Sequence, residues 1–536
     1  MFFLMHRLNS HQCFKRVVLI VTAVVAFLVF SPHYAQAGSF ALNEQSVSGL
    51  GTAYAGGAAE AADASTIFFN PAGIALLKQG ELQIGGQFII PQARFTNEGS
   101  RYTLPGTPFN NLPLSGGNGG DGGVAHLLPN FYLSQPVFRS LQYGDLAVGI
   151  GLSVPFGLET DYSPGWVGRY AALRTKLTTF DLQPTIAYRI FDRILLGASL
   201  DVQYASARLT QAIDFGLAGA GVLGQFEQAL PALLAARGVP APAIPGLVNA
   251  TRQAFNNAGF VPGGRDGVSE VTGDDWKVGF TLGAIFEYWK GDEQGFFQDG
   301  RFGVSYRSGI THDIRGTASF RNVPSITAAA APIPFPQPNL FQSIFFDQNA
   351  NASLDLPEIY HFSLYQRFAR QFALMGDIAW TRWSRLQSVP ITFQNANTPP
   401  VILDLEYSDA LRYAIGFEWY APKSLTFRLG FAYDETPIRS AETRTPRIPD
   451  SNRYFLSTGL RWSPTRFLDI DIGYAHLFVQ DPLVNITDSQ GHNLRGKFDA
   501  SVDIVGAALT FRWGGPREMV PSAPPTQGKE VVSYRK

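Results

Sequence analysis

The sequence predicts an all-β fold: a 14-stranded antiparallel transmembrane β-barrel with an N-terminal hatch, or plug, in its lumen. Three observations predict it. Apolar and polar residues alternate with period two in segments of about ten residues or more, the length of a tilted strand across a bilayer. Only 16% of the 536 residues are charged while 13% are aromatic, and there are 54 Gly; that composition suits β-structure with an apolar exterior and argues against disorder. Connections between the alternating segments are short and long by turns, as in outer-membrane barrels. A net charge of −1 leaves no electrostatic footprint for nucleic acid. Cys13 is the one cysteine, which excludes a disulfide scaffold, a thiol nucleophile and a thiolate metal site from the mature chain.

Residues 1–37 read as a signal peptide. Arg7, Lys15 and Arg16 precede an apolar run from Val17 to Phe30, and Ala35-Gln36-Ala37 follows as a small-x-small cleavage site. The run is about 14 residues, short of the ~20 that a spanning helix needs. Cleavage after Ala37 makes Gly38 the first mature residue. No long apolar run follows residue 37, which excludes a helical membrane protein and leaves a barrel, whose apolar residues never form a run.

Residues 38–80 are rich in Ala, Gly and Ser and show no strand-like alternation, yet they carry Phe40, Leu42, Leu50, Tyr54, Ile67, Phe68, Phe69, Ile74 and Leu76. That is too apolar for a solvated tail, and small residues let backbone pack closely. The segment reads as the hatch.

Residues 81–513 read as the barrel, with strands at 81–96, 126–138, 145–158, 173–190, 193–213, 270–289, 301–320, 354–369, 372–393, 403–421, 425–438, 453–463, 467–485 and 497–513. In Leu425–Asp434 one face is Leu, Phe, Leu, Phe, Tyr and the other Thr, Arg, Gly, Ala, Asp. In 405–419 the apolar face is Leu405, Tyr407, Leu411, Tyr413, Ile415, Phe417 and Trp419; in 354–369 it is Leu356, Tyr360, Phe362, Leu364 and Phe368. Short turns such as Phe191-Asp192 and Arg370-Gln371 alternate with long outer loops at about 97–125, 214–269 and 321–353. In strand three the inward face, Ala147, Gly149, Gly151 and Ser153, runs into Pro155 and Gly157. Proline removes a ladder donor and glycine weakens a strand, so a kink or gap is expected there. In the second long loop Phe226, Leu230, Leu233 and Leu234 fall at helical spacing over 223–237, with Gly238 as a stop and Pro231 a kink inside. Residues 514–536, rich in Pro, Ser and Lys, read as a disordered periplasmic tail.

Several strings carry a family resemblance. Gly38-Ser39-Phe40-Ala41-Leu42-Asn43-Glu44-Gln45-Ser46, Ser48-Gly49-Leu50-Gly51, Ala53-Tyr54-Ala55-Gly56 and Asn70-Pro71-Ala72-Gly73 resemble the hatch of the FadL/TodX family of outer-membrane transporters of hydrophobic compounds. Val154-Pro155-Phe156-Gly157-Leu158, Trp380-Thr381-Arg382-Trp383-Ser384 and Gly473-Tyr474-Ala475-His476-Leu477-Phe478 extend it along the chain. The resemblance implies uptake of fatty acids or aromatic hydrocarbons across the outer membrane. Outer loops would capture the ligand, with Phe226, Leu230, Leu233 and Leu234 in the docking surface and Phe40 and Leu42 in the hatch as ligand contacts. Release would be lateral, through a kink at Pro155, Phe156 and Gly157, with the turn Asn70, Pro71, Ala72 beside it. No energy-coupling box is evident in the N-terminal segment, so transport is expected to be diffusive.

Chemistry of other kinds finds little support in the residues. The five mature histidines show no metal-ligand spacing, and no HExxH, GxSxG or phosphate loop occurs. No cofactor is expected. His361 and Ser363, two apart on a strand, raise the alternative of an outer-membrane lipid hydrolase, but they face the lumen, where a hydrogen-bonded network is the better reading. Lumen-facing charges of both signs, among them Arg307, Arg412, Glu418, Arg428, Arg461 and Asp471, fit cross-strand ion pairing, with a ligand carboxylate on one or two free cations as the functional option. The partners expected are hydrophobic small molecules and the lipopolysaccharide and lipids of the outer membrane, with no nucleic acid, and the chain is expected to be a monomer.

Overall fold

The computed structural model describes residues 40–514 except 141–143, 292–294, 328–332 and 334. The signal peptide at 1–37 and the tail from residue 515 lie outside the described residues.

Fourteen strands close into one barrel. They are β1 Gly80–Asn97, β2 His126–Ser140, β3 Gly144–Ser153 continued by Gly157–Asp161, β4 Arg174–Phe191, β5 Ile194–Asp214 and β6 Asp266–Lys290. Then come β7 Phe297–Arg307 with Ile310–Arg321, β8 Gln348–Leu356 with Ile359–Phe368, β9 Phe372–Thr381 with Ser388–Phe393, and β10 Val401–Asp404 with Ala410–Ala421. The last four are β11 Leu425–Asp434, β12 Arg453–Thr465, β13 Leu468–Val479 continued by Leu483–Thr487, and β14 His492–Trp513. Each pairs antiparallel with its sequence neighbour, and β1 closes on β14 from Gly80↔Trp513 to Asn97↔Gly496. Closure removes the sheet edges, as the hydrocarbon requires, except along one seam between β2 and β3. Outward side chains form the apolar belt: Ile84, Phe88, Val278, Leu282, Leu364, Leu429, Ile472 and Val505 are all exposed. Above the belt Tyr204 and Trp276 meet at 5.0 Å, one station of the aromatic girdle.

Two faces read from the sequence are corrected by irregularities in the wall. Leu356 is buried inside while Phe362 and Leu364 face out, and Leu405 and Tyr407 are buried inside while Ile415 and Trp419 face out. The strands β7, β8, β9 and β10 are each interrupted at one level, at 308–309, 357–358, 382–387 and 405–409. In β7, β8 and β10 the interruption moves the alternation by one residue and so exchanges the two faces. The exchanged residues Ile314, Leu354, Leu356, Leu405 and Tyr407, with Leu386 from the β9 turn, build an apolar cluster in the upper lumen around Trp383.

The hatch, residues 40–79, fills the lumen. It contains α1 Val47–Gly51, capped by Ser46, whose Oγ accepts the Gly49 N–H at 3.1 Å; α2 Thr66–Phe69; and a 3₁₀ turn at Pro71–Ala75, where Asn70 Oδ1 accepts the Ala72 N–H at 3.1 Å. Both caps satisfy donors that a helix start leaves free.

Over the outer end lie α3 Phe215–Ala236 and α4 Ile244–Asn257. Helix α3 begins eight residues before the periodic stretch at 223, because Asp214 caps it (Leu217 N–H to Asp214 Oδ1, 2.8 Å), and it runs through Pro231. Asp214 also ties the loops together. Tyr102 Oη and the Gly263 N–H donate to its Oδ2, both at 2.9 Å, and His492 Nε2 lies 3.4 Å from the same oxygen. His492 Nδ1 reaches Asp488 at 2.7 Å, and Tyr170 stacks on the ring at 4.0 Å. This knot stands well outside the lipid belt, thirteen residues along β14 from Val505. Burial opposes charge on His492, but the hydrogen bonds to Asp214 and Asp488 outweigh it and raise the imidazole pKa. A raised pKa stabilises the knot fully below the unfolded value of about 6.5 and loses that contribution as pH rises through the folded value. Amide exchange at Gly263 and Leu217 should therefore be slow at pH 6 and quicken by pH 8.5 beyond the intrinsic base-catalysed rise, whereas His492→Gln should remove this extra dependence.

Candidate functional site: a wall opening and the cavity behind it

Strand β3 breaks where the sequence places Pro155. Its lower part pairs with β4 up to Ser153↔Asp181, and its upper part resumes at Gly157↔Thr178, so three residues of β3 face two of β4. On the other side β2 pairs with β3 only as far as Phe131↔Leu152. Residues 126–130 of β2 therefore have no ladder with β3, and a seam opens between Leu127–Pro129 and Gly157–Leu158. It is bounded above by the Gly123↔Thr160 bridge.

The hatch supplies the missing partners. The Leu42 N–H donates to the Pro155 carbonyl at 2.8 Å, and the Gly157 N–H donates to the Phe40 carbonyl at 3.1 Å, so Phe40–Leu42 runs as an extra short strand against the break. The Gln45 carboxamide takes both polar groups of Val154: Nε2 donates to its carbonyl at 2.7 Å and Oε1 accepts its N–H at 2.9 Å. Thr179 serves Phe156 on the β4 side, its Oγ1 accepting the Phe156 N–H at 3.0 Å and donating to the Phe156 carbonyl at 2.8 Å. The backbone polar groups of Val154, Pro155 and Phe156 are thus satisfied, as burial in a membrane wall demands.

Behind the seam lies a cavity of about 400 Å³. Its inner wall is Phe40, Ala41 and Leu42, its floor Ile89, Leu477 and Val502, and its roof Ile448 and Pro449 of the β11–β12 loop. Leu127 and Phe180, which face the lipid, also line it, so the cavity reaches the outside of the barrel through the seam. Phe40 packs edge-on against Trp383 at 4.7 Å and against Phe156 at 6.2 Å. The upper rim is charged: Glu159, buried, meets Lys176 at 2.8 Å, Arg174 at 2.5 Å and the His126 ring at 2.8 Å, while each of these three partners is more than a third exposed.

The structure distributes the expected site residues unevenly. Phe40, Leu42 and Gly157 line the cavity, with Pro155 and Phe156 at the break against its inner wall. Asn70, Pro71 and Ala72 do not lie beside the break. Asn70 Nδ2 donates to Ala58 at 2.7 Å and to Ala284 of β6 at 3.1 Å, and a Cβ on Gly197 or Gly283 would overlap the turn. The turn is a foot of the hatch seated on β5 and β6, and those two glycines make room for it. In the outer layer Phe226, Leu230 and Leu234 are buried with Ile333 in a loop core, and of the four helix residues Leu233 alone is exposed. They pack the layer against itself; Leu233 is the one presented outward.

Trp383, Gln45, Lys176, His126 and Glu159 were not singled out in the sequence as site residues. Lys176 and Glu159 carried a signal, being opposite charges on the broken strand β3 and its neighbour β4. Most of the lumen cations are bound to acids. Arg428 meets Glu418 and Asp471, each at 2.7 Å; Arg307 meets Asp181 at 2.8 Å; Arg461 meets Asp471 at 2.9 Å and Asp63 of the hatch at 2.6 Å. The hydrolase constellation does not form. Ser363 Oγ donates to Asp377 and accepts the Ala58 N–H at 3.0 Å, and His361 Nδ1 lies 3.5 Å from the other oxygen of Asp377. Ser363 is a buried anchor for the hatch.

A closed barrel, plugged by its own N-terminal segment and open sideways onto an apolar cavity, is the architecture of an outer-membrane transport channel. The chain belongs to the family of outer membrane transport proteins OMPP1/FadL/TodX, which it matches over residues 28–513. It is 28% identical over 467 residues to the long-chain fatty acid transport protein of Escherichia coli strain CFT073, covering 87% of this chain and 92% of that protein. A FadL homologue of Pseudomonas aeruginosa shares the fold at a TM-score of 0.69 and 23% identity, over 89% of this chain and 100% of the other. The toluene transporter TbuX of Ralstonia pickettii does so at 0.53 and 16%, over 84% and 94%. The protein is thus an outer-membrane transporter and not an enzyme.

The ion pair between Asp63 and Arg461 joins hatch to wall. In Asp63→Asn, Arg461 keeps Asp471 but loses one buried charge partner, and Ser48 and Ser65, which donate to Asp63, lose a carboxylate. A loss of about 1–3 kcal/mol is expected, seen as a lower guanidinium midpoint for the folded, heat-modifiable band.

Proposed function

We propose that the protein carries amphipathic hydrophobic acids, long-chain fatty acids foremost, from the outer loops into the cavity and out sideways through the seam between β2 and β3. The observation that carries the reading is the continuous, mostly apolar cavity from Phe40 to the lipid-facing Leu127 and Phe180, with Glu44, Asp450 and Arg453 also in its lining. Burial of a sixteen-carbon chain is worth about 12 kcal/mol gross, much of it offset by ordering and by the lipid contacts given up. The polar rim favours an acid: Lys176 and His126 are both partly exposed beside the cavity, and each shares the one carboxylate of Glu159. The ring cluster of Phe40, Phe156 and Trp383 supports aromatic hydrocarbons as the second reading. Passage through a displaced hatch is disfavoured, because it would uncover Asp63, Arg461 and their partners together.

Gly157→Trp places an indole in the seam next to Leu42. Uptake of a labelled long-chain fatty acid should fall at least about tenfold while folding, read by heat-modifiable migration, is kept; normal uptake in a folded variant would favour a path past the hatch. Lys176→Gln should weaken fatty acid binding by about tenfold, the value of one charge-assisted contact, and leave toluene binding unchanged. Equal effects on both ligands would move the specificity away from the rim.

A further inference from the structure

Beyond the seam, the outer wall carries a cluster of cations in which two like charges stand opposite each other. Lys176 on β4 and Arg208 on β5 are direct cross-strand partners in the ladder. Both lie on the outward face, two outward positions above Phe180 and Tyr204, which are also cross-strand partners. Like charges directly opposite each other destabilise a sheet. Arg174 and Arg321 flank the pair. The four cations share three acids: Glu270 binds Arg208 through Oε1 and Oε2 at 2.9 Å and also Arg321 at 3.4 Å, while Glu159 serves Arg174 and Lys176 and also meets His126, and Asp161 lies 3.7 Å from Arg174. Asp274, one outward position below Arg208, stands opposite Arg315 in register. The four side chains are between 38% and 60% exposed.

Their height supplies the reason. Four residues of strand above the Tyr204–Trp276 girdle is about 13 Å along a tilted strand, the level where the apolar belt has ended and the headgroups of the outer leaflet begin. Guanidinium forks match phosphate oxygens in a bidentate manner, and basic clusters at this level recognise phosphorylated lipid headgroups. We propose that the outward face of β4–β7 formed by Lys176, Arg208 and Arg321 binds the phosphate groups of a phosphorylated glycolipid of the outer leaflet, which holds a lipid against the wall beside the seam. The proposed site shares Lys176 with the cavity rim, whereas Arg208 and Arg321 do not line the cavity and separate the two sites.

The test is a binding titration of purified full-length barrel in detergent with bis-phosphorylated lipid A, with the same lipid A after phosphatase treatment, and with inorganic phosphate as competitor. The wild-type protein should bind the phosphorylated lipid at least about tenfold more tightly than the dephosphorylated one, and millimolar inorganic phosphate should leave it bound. Arg208→Gln with Arg321→Gln should lose that preference while fatty acid binding in the cavity is kept. Equal binding of both lipids by wild-type protein would overturn the proposal without recourse to any variant. Displacement by inorganic phosphate would overturn the lipid and leave a site for free anions. An unchanged preference in the folded double variant would also overturn it.

Discussion

Within a bilayer every backbone N–H and C=O needs a partner in the protein, and the rest of this structure turns on how that requirement is met at one place. A barrel wall that opens sideways leaves ladder groups bare. At Val154, Pro155 and Phe156 the partners are the hatch backbone at Phe40 and Leu42, the Gln45 carboxamide and the Thr179 hydroxyl. The wall and the hatch are thus parts of one hydrogen-bond system. A ligand that displaces Phe40–Leu42 must replace, or leave unpaired, the groups they satisfy, which gives the seam a natural resting state.

The hatch is held elsewhere by a different economy. Glycines at 197 and 283 on the lumen face remove the side chains that would collide with Asn70–Ala72, and Gly149 and Gly151 leave space for Ile67. Asp63 and Arg461 add a buried ion pair within a larger network. Close backbone seating and paired charge fix the body of the hatch, while Phe40–Leu42 rests on two main-chain bonds and the contacts of the Phe40 ring with Trp383 and Phe156. The division between a fixed body and a lightly held leading strand is what a lateral route needs.

The interruptions of β7 to β10 serve the same site from the opposite side of the lumen. Shifts of the pleat carry Leu356, Leu405 and Tyr407 inward, and the turn at 382–387 brings Trp383 over Phe40. The apolar cluster that meets the hatch is therefore made at defects in the barrel. Outside, the helices over the barrel bury Phe226, Leu230 and Leu234 among themselves, so the apolar stripe visible in the sequence marks a loop core with Leu233 at its margin.

Period-two alternation and turn length determined the strand count, the approximate span of each strand and the presence of a lumen segment, since these depend on residues near in sequence. Pro155 and Gly157 also announced the break locally, through a missing donor and weak strand propensity. The sequence alone did not determine what fills the break, because the Phe40–Leu42 pairing joins residues more than a hundred positions apart. Nor did it determine the faces of β8 and β10, where an interruption reverses every later side chain while composition stays the same. The site of Asn70-Pro71-Ala72 was settled by glycines on β5 and β6, and the meeting of Lys176, Glu159 and His126 by three strands converging above the seam. Those are facts of closure and register, and they exist only once the barrel has formed.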